Sequence, residues 1–185
     1  MSSVEFGVFG GSFDPPHIAH TLLVSCALSA YGLERVLVIP AYAHAFGKQS
    51  SSFEDRLRMC ELAFGELPRV EVCDVERDLP APSYMVNTLA ALEQRFPAVQ
   101  LRLLIGADIV TETHAWHDFA RIARVAPPIV FERQGAPWHD TSQPALPHVS
   151  SSEIRRRLRT GESTRGWLSP SVAQYARARA LYRDP

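Results

Sequence analysis

The sequence predicts a three-layer α/β/α fold, in which a mostly parallel sheet of five or six strands carries helices on both faces and further helices close the C-terminal end. Three observations predict it. Short apolar, β-branched runs alternate with segments of helical period over most of the chain; glycine or proline closes most of those runs; and the first run ends in paired glycines before a helix start. The 185 residues are enough for one core without disulfides, so residues 1–185 read as a single domain.

Val4, Phe6, Val8 and Phe9 suit a first buried strand, and Gly10 and Gly11 let the backbone turn sharply and lie close to a ligand. A helix is expected from near Pro16 to near Gly32, because proline is tolerated in a first turn and the positions from Ile18 onward have helical spacing. Arg35 to Pro40 is the second strand. After the loop AYAHAFGKQSSS, Ser52 caps a helix with Asp55 three residues on and Leu57, Cys60 and Phe64 on one face. Val70 and Val72 mark a third strand. Ser83 is the expected cap of a helix carrying Met85, Leu89, Leu92 and Phe96, and Leu101 to Ile105 is the fourth strand. Ile109 to Ala123 reads as helical with a break near His114, and Ile129 to Phe131 as the fifth strand. An irregular loop from Arg133 to His148 precedes helices over Ser150–Arg159 and Pro170–Leu181, the latter capped by Ser169.

Composition narrows the function. A formal net charge of −1 argues against a dedicated nucleic-acid binder. The start MSSVEFGVFG lacks the basic region and apolar core of a signal peptide, and no apolar stretch is long enough to span a bilayer. The three cysteines form no CxxC pair, which fits a reducing compartment, so a soluble cytoplasmic protein is expected, with no membrane partner. Oligomeric state is not legible, and a homo-oligomer stays open.

The chemistry gathers in GVFGGSFDPPHIAH, Gly7 to His20. A strand, a glycine turn and a helix start place backbone N–H groups and the positive end of a helix dipole together, a natural phosphate site. His17 and His20, three apart, share one face of the first helical turn and are expected to point at the same anion. The helix dipole there favours a neutral ring. Two histidines without cysteine partners are too few ligands for zinc, and neither GxxxxGK[ST] nor GxGxxG occurs here. A second anion site is read at VSSSEIRRRLRTG, where Ser150 and Glu153 fit a capping box, Ser151 and Ser152 present hydroxyls at a helix start, and Arg155 lies one turn in. Arg156, Arg157 and Arg159 read as a solvated face.

At these residues the chain resembles the HxGH nucleotidyltransferase superfamily, and GGSFDPPHIAH is most similar to the nicotinate (nicotinamide) mononucleotide adenylyltransferase family, with its GGTFDPxHxGH opening and ISSTEIR motif near the C-terminus. Ala19 stands where that family has glycine. The resemblance implies a Rossmann-like fold and attack by a pyridine mononucleotide phosphate on the α-phosphorus of ATP, with release of pyrophosphate and with Mg²⁺ carried by the ATP. It further implies His17, His20, Arg155 and Lys48 as catalytic donors, and Gly10, Gly11, Ser12, Phe13, Gly106, Asp108, Arg133, Ser150, Ser151, Ser152 and Ile154 around ATP. Asp108, in GAD, is similar in position to an acid that binds ribose hydroxyls. SYMVNTL is similar to the family's SYTVDTL, which implies Ser83, Tyr84, Met85, Asn87, Thr88 and the more distant Trp116 on the substrate side. Taken alone, Tyr84 and Trp116 read equally well as core aromatics. Two alternatives stay open: another HxGH-type enzyme such as phosphopantetheine adenylyltransferase, and a catalytically weak nucleotide-binding sensor, motivated by Ala19, Met85, Asn87 and AFGK in place of PPHK.

Overall fold

The computed structural model describes residues 4–43, 51–132 and 145–183. Strands β1 (Val4–Gly11), β2 (Arg35–Pro40), β3 (Val70–Val72), β4 (Val99–Gly106) and β5 (Pro128–Phe131) form one sheet in the order β3-β2-β1-β4-β5, with every pairing parallel. Helices α1 (Ile18–Ala30), α2 (Phe53–Phe64), α3 (Met85–Arg95), α4 (Ala107–Val110), α5 (Phe119–Val125), α6 (Ser151–Thr160) and α7 (Pro170–Ala178) complete it. The chain leaves central β1 toward β2 on one side and later returns to β4 on the other. The carboxyl ends of β1 and β4 therefore flank the topological switch point, where such sheets form a crevice.

Strand alternation sorts the core into two layers. Val36 and Val38 of β2 face α1 and α2 with Phe9, Leu23, Val24 and Phe64, whereas Leu37 and Ile39 face α3 and α5 with Val8, Leu89, Leu103 and Ile122. All four β2 residues are fully buried, which is why the strand reads as an unbroken apolar run. A third cluster docks α6 and α7 against α2 through Met59, Ile154, Leu168 and Val172.

Several helix starts, spans and caps differ from the sequence expectation, among them α7, which ends at Ala178 and not at Leu181. Helix α1 begins at Ile18, two residues past Pro16, with His17 in extended conformation as its cap. Ser83 does not cap α3: its Oγ accepts the Ala43 N–H at 3.0 Å while its own N–H donates to the Ala43 carbonyl at 2.8 Å. Tyr84 takes the cap position instead. The helix expected over Ile109–Ala123 is α4, a single 3₁₀ turn at Thr113–Ala115, and α5. Thr111 and Thr113 hydroxyls bond the Asp108 and Val110 carbonyls, and Asp118, at φ 52°, starts α5 anew by accepting the Arg121 N–H. At α6 the capping box forms by half. Ser150 Oγ accepts the Glu153 N–H at 3.2 Å, but the Glu153 carboxylate turns outward to Arg156 and Arg157. These hydrogen bonds hold the Glu153 carboxyl down at about 2. Gly161, at φ 74°, ends α6 in the left-handed conformation that glycine takes without a Cβ penalty. Among the described residues no helix is long and apolar enough to cross a membrane.

Candidate active site

A cavity of about 800 Å³ opens at the carboxyl ends of β1 and β4. Gly10 to Asp14 and His20 form one wall, and Gly106 and Asp108 the base. Ser151, Ser152 and Arg155 form the opposite wall. The two sequence motifs, more than a hundred residues apart, meet directly: Ser151 Oγ donates to the Pro15 carbonyl at 2.9 Å and Arg155 donates to the Asp14 carbonyl at 2.7 Å. A second guanidinium nitrogen of Arg155 holds Ser152 Oγ at 3.2 Å. The N-terminal end of α6, with its positive dipole, is thereby fastened onto the turn that precedes α1.

The histidines divide the work. His20 lines the cavity, whereas His17 is only 4% exposed and forms part of a different cavity, of about 910 Å³, on the α7 side. Sharing a helix face does not give them the same outlook, because His17 is the cap residue and its backbone has not yet entered the helix. Their rings stack at 3.6 Å and 17°. His20 Nδ1 accepts the His17 backbone N–H at 3.2 Å. A nitrogen that accepts an N–H carries no proton, so the neutral His20 ring presents Nε2–H as a donor. Phe13 braces the ring edge-on at 5.1 Å and is itself held at φ 48°, a conformation a bulky residue keeps only where its packing demands it. Two α1 amides are already engaged, Ile18 N–H with the Trp167 carbonyl and His20 N–H with the His17 carbonyl. The start of α1 is therefore not a bare helix end.

The substrate side is aromatic. Tyr84 stacks on His117 at 4.7 Å and 30°, and Trp116, half-buried, meets Phe119 edge-on. Both Tyr84 and Trp116 line the cavity, as do Ser83 and Met85. Met85 covers the end of β1 so closely that a Cβ on Gly10 would lie 2.4 Å from Met85 Cε. Asn87 and Thr88 are not brought to the cavity. Asn87 is exposed, and Thr88 is fully buried with Oγ1 on Glu76 Oε1 at 2.7 Å, since α3 turns that face toward the 3₁₀ turn at Val75–Asp78. Ser150 is an exposed cap and Ile154 a core residue of the α6–α7 cluster, so neither lines the cavity. Lys48 and Arg133 lie outside the described residues.

Three polar residues of this region escape sequence reading. Asp14 is 4% exposed, and in FDPPH it reads as a turn residue. Arg56 is 3% exposed and donates to the carbonyls of Ser12, Ser51 and Tyr42, joining the segment after β1 to both flanks of the loop after β2. Burial lowers its pKa, and the Asp14 charge opposes that shift. Glu76 accepts Tyr42 N–H at 3.0 Å as well as the Thr88 hydroxyl, and lines the cavity. Arg56 and Glu76 sit in charged stretches that read as solvated faces. Among the described residues, no three His, Cys, Asp or Glu side chains gather as a metal cluster.

Fold and site together define a Rossmann-like α/β protein of the nucleotidyltransferase class, in which the N-terminal end of α6 is fastened to the segment between β1 and α1. The chain belongs to the cytidylyltransferase-like family, whose model matches residues 8–157. Within it, the chain is 42% identical over 182 residues to a probable nicotinate-nucleotide adenylyltransferase of Anaeromyxobacter dehalogenans strain 2CP-C, covering 97% of each. A relative of the same name from Thermus thermophilus is 36% identical over 186 residues, covering 97% of this chain and 100% of that protein. The fold matches that of Plasmodium falciparum nicotinic acid mononucleotide adenylyltransferase complexed with NaAD, at a TM-score of 0.83 and 16% identity over 97% of both chains.

Proposed function

We propose that the chain is a nicotinate-nucleotide adenylyltransferase, joining nicotinate mononucleotide to the AMP part of ATP with release of pyrophosphate, as a single cytoplasmic nucleotidyltransferase domain. The observation that carries this reading is the docking of the α6 start onto the segment between β1 and α1 through Ser151 and Arg155, which makes one anion-binding surface out of two distant motifs. Its relatives' names supply the acceptor.

In this reading a phosphate oxygen of the mononucleotide attacks the α-phosphorus of MgATP, a P–O bond to that phosphorus forms, and the bond to the β-phosphate bridging oxygen breaks. Both electrons leave with pyrophosphate. The attacking oxygen is already ionised at neutral pH, so no protein base is needed; the protein aligns the reactants and meets the charge that builds on the leaving group. Gly10 to Phe13 let the triphosphate lie against the end of β1. His20 Nε2–H and the Arg155 guanidinium donate to it, with Lys48 and Arg133 as further cations. Buried His17 stacks behind His20 and fixes its ring. Gly106 and Asp108 take the ribose, and Tyr84, Met85 and Trp116 shape the pyridine site. Mg²⁺ enters as part of the nucleotide substrate, which suits a site where no three His, Cys, Asp or Glu side chains gather among the described residues.

The test offers the protein ATP and Mg²⁺ with nicotinate mononucleotide, nicotinamide mononucleotide or phosphopantetheine, and measures pyrophosphate. Turnover is expected with the pyridine mononucleotides, fastest with nicotinate. Turnover with phosphopantetheine alone would move the assignment within the superfamily, and ATP binding without pyrophosphate from any acceptor would make the chain a sensor.

A further inference from the structure

The end of the chain returns to its first motif. Past α7 the backbone passes through Ala180 at φ 51° and Tyr182 at φ 66°, both in the left-handed region. Residues with a Cβ hold such angles where their surroundings over-determine them. Ala180 sits in the turn that ends α7, where the Leu181 N–H donates to the Ala176 carbonyl at 2.9 Å; Tyr182 OH donates to Asp14 Oδ1 at 2.7 Å, with Met59 Sδ at 3.8 Å on its flank. The Asp14 carboxylate also accepts the Ser51 N–H, at 3.3 Å to Oδ2. Arg155, while bonded to the Asp14 carbonyl, stands 4.0 Å from Asp14 Oδ2. The buried carboxylate and the phosphate-side cation thus already form a long ion pair, which a small side-chain movement would close into a hydrogen-bonded one.

We propose that Tyr182 is a positioning residue for adenylyl transfer: by holding the Asp14 carboxylate it keeps the long Asp14–Arg155 contact from closing into a bidentate, hydrogen-bonded ion pair, and so leaves the guanidinium available to the ATP phosphates. This rests on the reading of Arg155 as a phosphate donor. A hydroxyl donating to an ionised carboxylate makes a short, charge-assisted bond and meets part of that anion's demand for donors. With the hydroxyl gone, the nearest group able to meet it is Arg155, whose planar fork matches a carboxylate with two parallel bonds. The other cation near Asp14, Arg56, is anchored on the carbonyls of Ser51, Ser12 and Tyr42. Burial and the Asp14 charge both push the Tyr182 phenol upward, so it remains a donor across the working pH range.

The experiment compares Tyr182→Phe, Asp14→Asn, the double variant and Arg155→Ala in the full chain, with steady-state pyrophosphate release at varied ATP and a thermal melt of each. Tyr182→Phe is expected to raise KM for ATP by about tenfold while kcat changes less. The double variant is expected to recover to within about twofold of Asp14→Asn alone, because a neutral amide does not trap arginine. That recovery is judged at temperatures below the lowest melt, so a loss of stability in Tyr182→Phe does not decide the outcome. An unchanged KM in Tyr182→Phe, or additive losses in the double variant, overturns the proposal and leaves Tyr182 as a packing residue. Arg155→Ala separates the premises: if it leaves KM and kcat unaltered, the phosphate-donor reading falls; if it impairs ATP use while Tyr182→Phe does not, only the role of Tyr182 falls.

Discussion

Replacing His20 tests the proposed chemistry most directly, because the ring has two separable duties. Through Nδ1 it accepts the His17 N–H at 3.2 Å and so closes the first turn of α1; through Nε2–H it faces the cavity as a donor. Glutamine at the same helix position can perform the first duty, as in a capping box, but cannot reproduce the second with the ring held between His17 at 3.6 Å and Phe13 at 5.1 Å. His20→Ala loses both. For His20→Ala the lost cap costs about 1 kcal/mol, which lowers the melting temperature by roughly 2–4 °C in a chain of this size. His20→Gln should melt within about 1 °C of the parent. A preorganised donor to developing charge contributes about 3 kcal/mol, so both variants should lose on the order of a hundredfold in kcat. Pyrophosphate release under saturating substrates, set beside a thermal melt, reads the two duties separately. If His20→Gln turns over within about twofold of the parent, the ring is a structural cap and the leaving-group role assigned to it is wrong.

Three further outcomes follow from the packing. Gly10→Ala would set a Cβ against Met85 Cε and should push that side chain into the cavity, raising KM for nicotinate mononucleotide more than for ATP; pairing it with Met85→Thr should reverse the increase, and a failure to reverse would locate the damage in the β1 backbone itself. Thr88→Val keeps shape but strips the buried Glu76 carboxylate of its 2.7 Å hydroxyl partner, so a loss of about 1–3 kcal/mol is expected in urea unfolding. Asp55 gives the pH prediction. Burial raises its pKa, but hydrogen bonds from Ser52, Tyr175 and Arg179 prevail and its folded value lies below 3.8. The unfolded chain then binds the proton first, so the stabilisation is complete above pH ~4 and is lost as pH falls through the folded value. Unfolding free energies of Asp55→Asn should run flatter than the parent's on the acid side; parallel curves would refute the assignment.

Much of the architecture was legible because its causes are local. The fully buried Val36–Ile39 run and the caps at Ser52, Ser150 and Ser169 each follow from a few adjacent residues, whereas Gly10 and Gly11, expected to turn sharply, stay extended at the end of β1 beside Ile39 and Pro40. The misreadings share a cause too. Ser83 has the right chemistry and position for a cap, yet Ala43 offers it two hydrogen bonds; Thr88 sits inside a substrate-like string, yet α3 turns it toward Glu76. His17 and His20 have the spacing of a pair, and only the extended backbone at His17 separates their outlooks.

The sequence by itself determined the alternation of strands and helices, the two anion-binding motifs and the kind of chemistry they suit, since periodicity, capping and turn preference act over a few residues. The tertiary structure decided which polar groups meet. Ser151 with Pro15, Arg155 with Asp14 and Tyr182 with Asp14 are separated by 136, 141 and 168 positions. A buried charge must find its partner wherever the sheet order places one, and no local pattern records that choice.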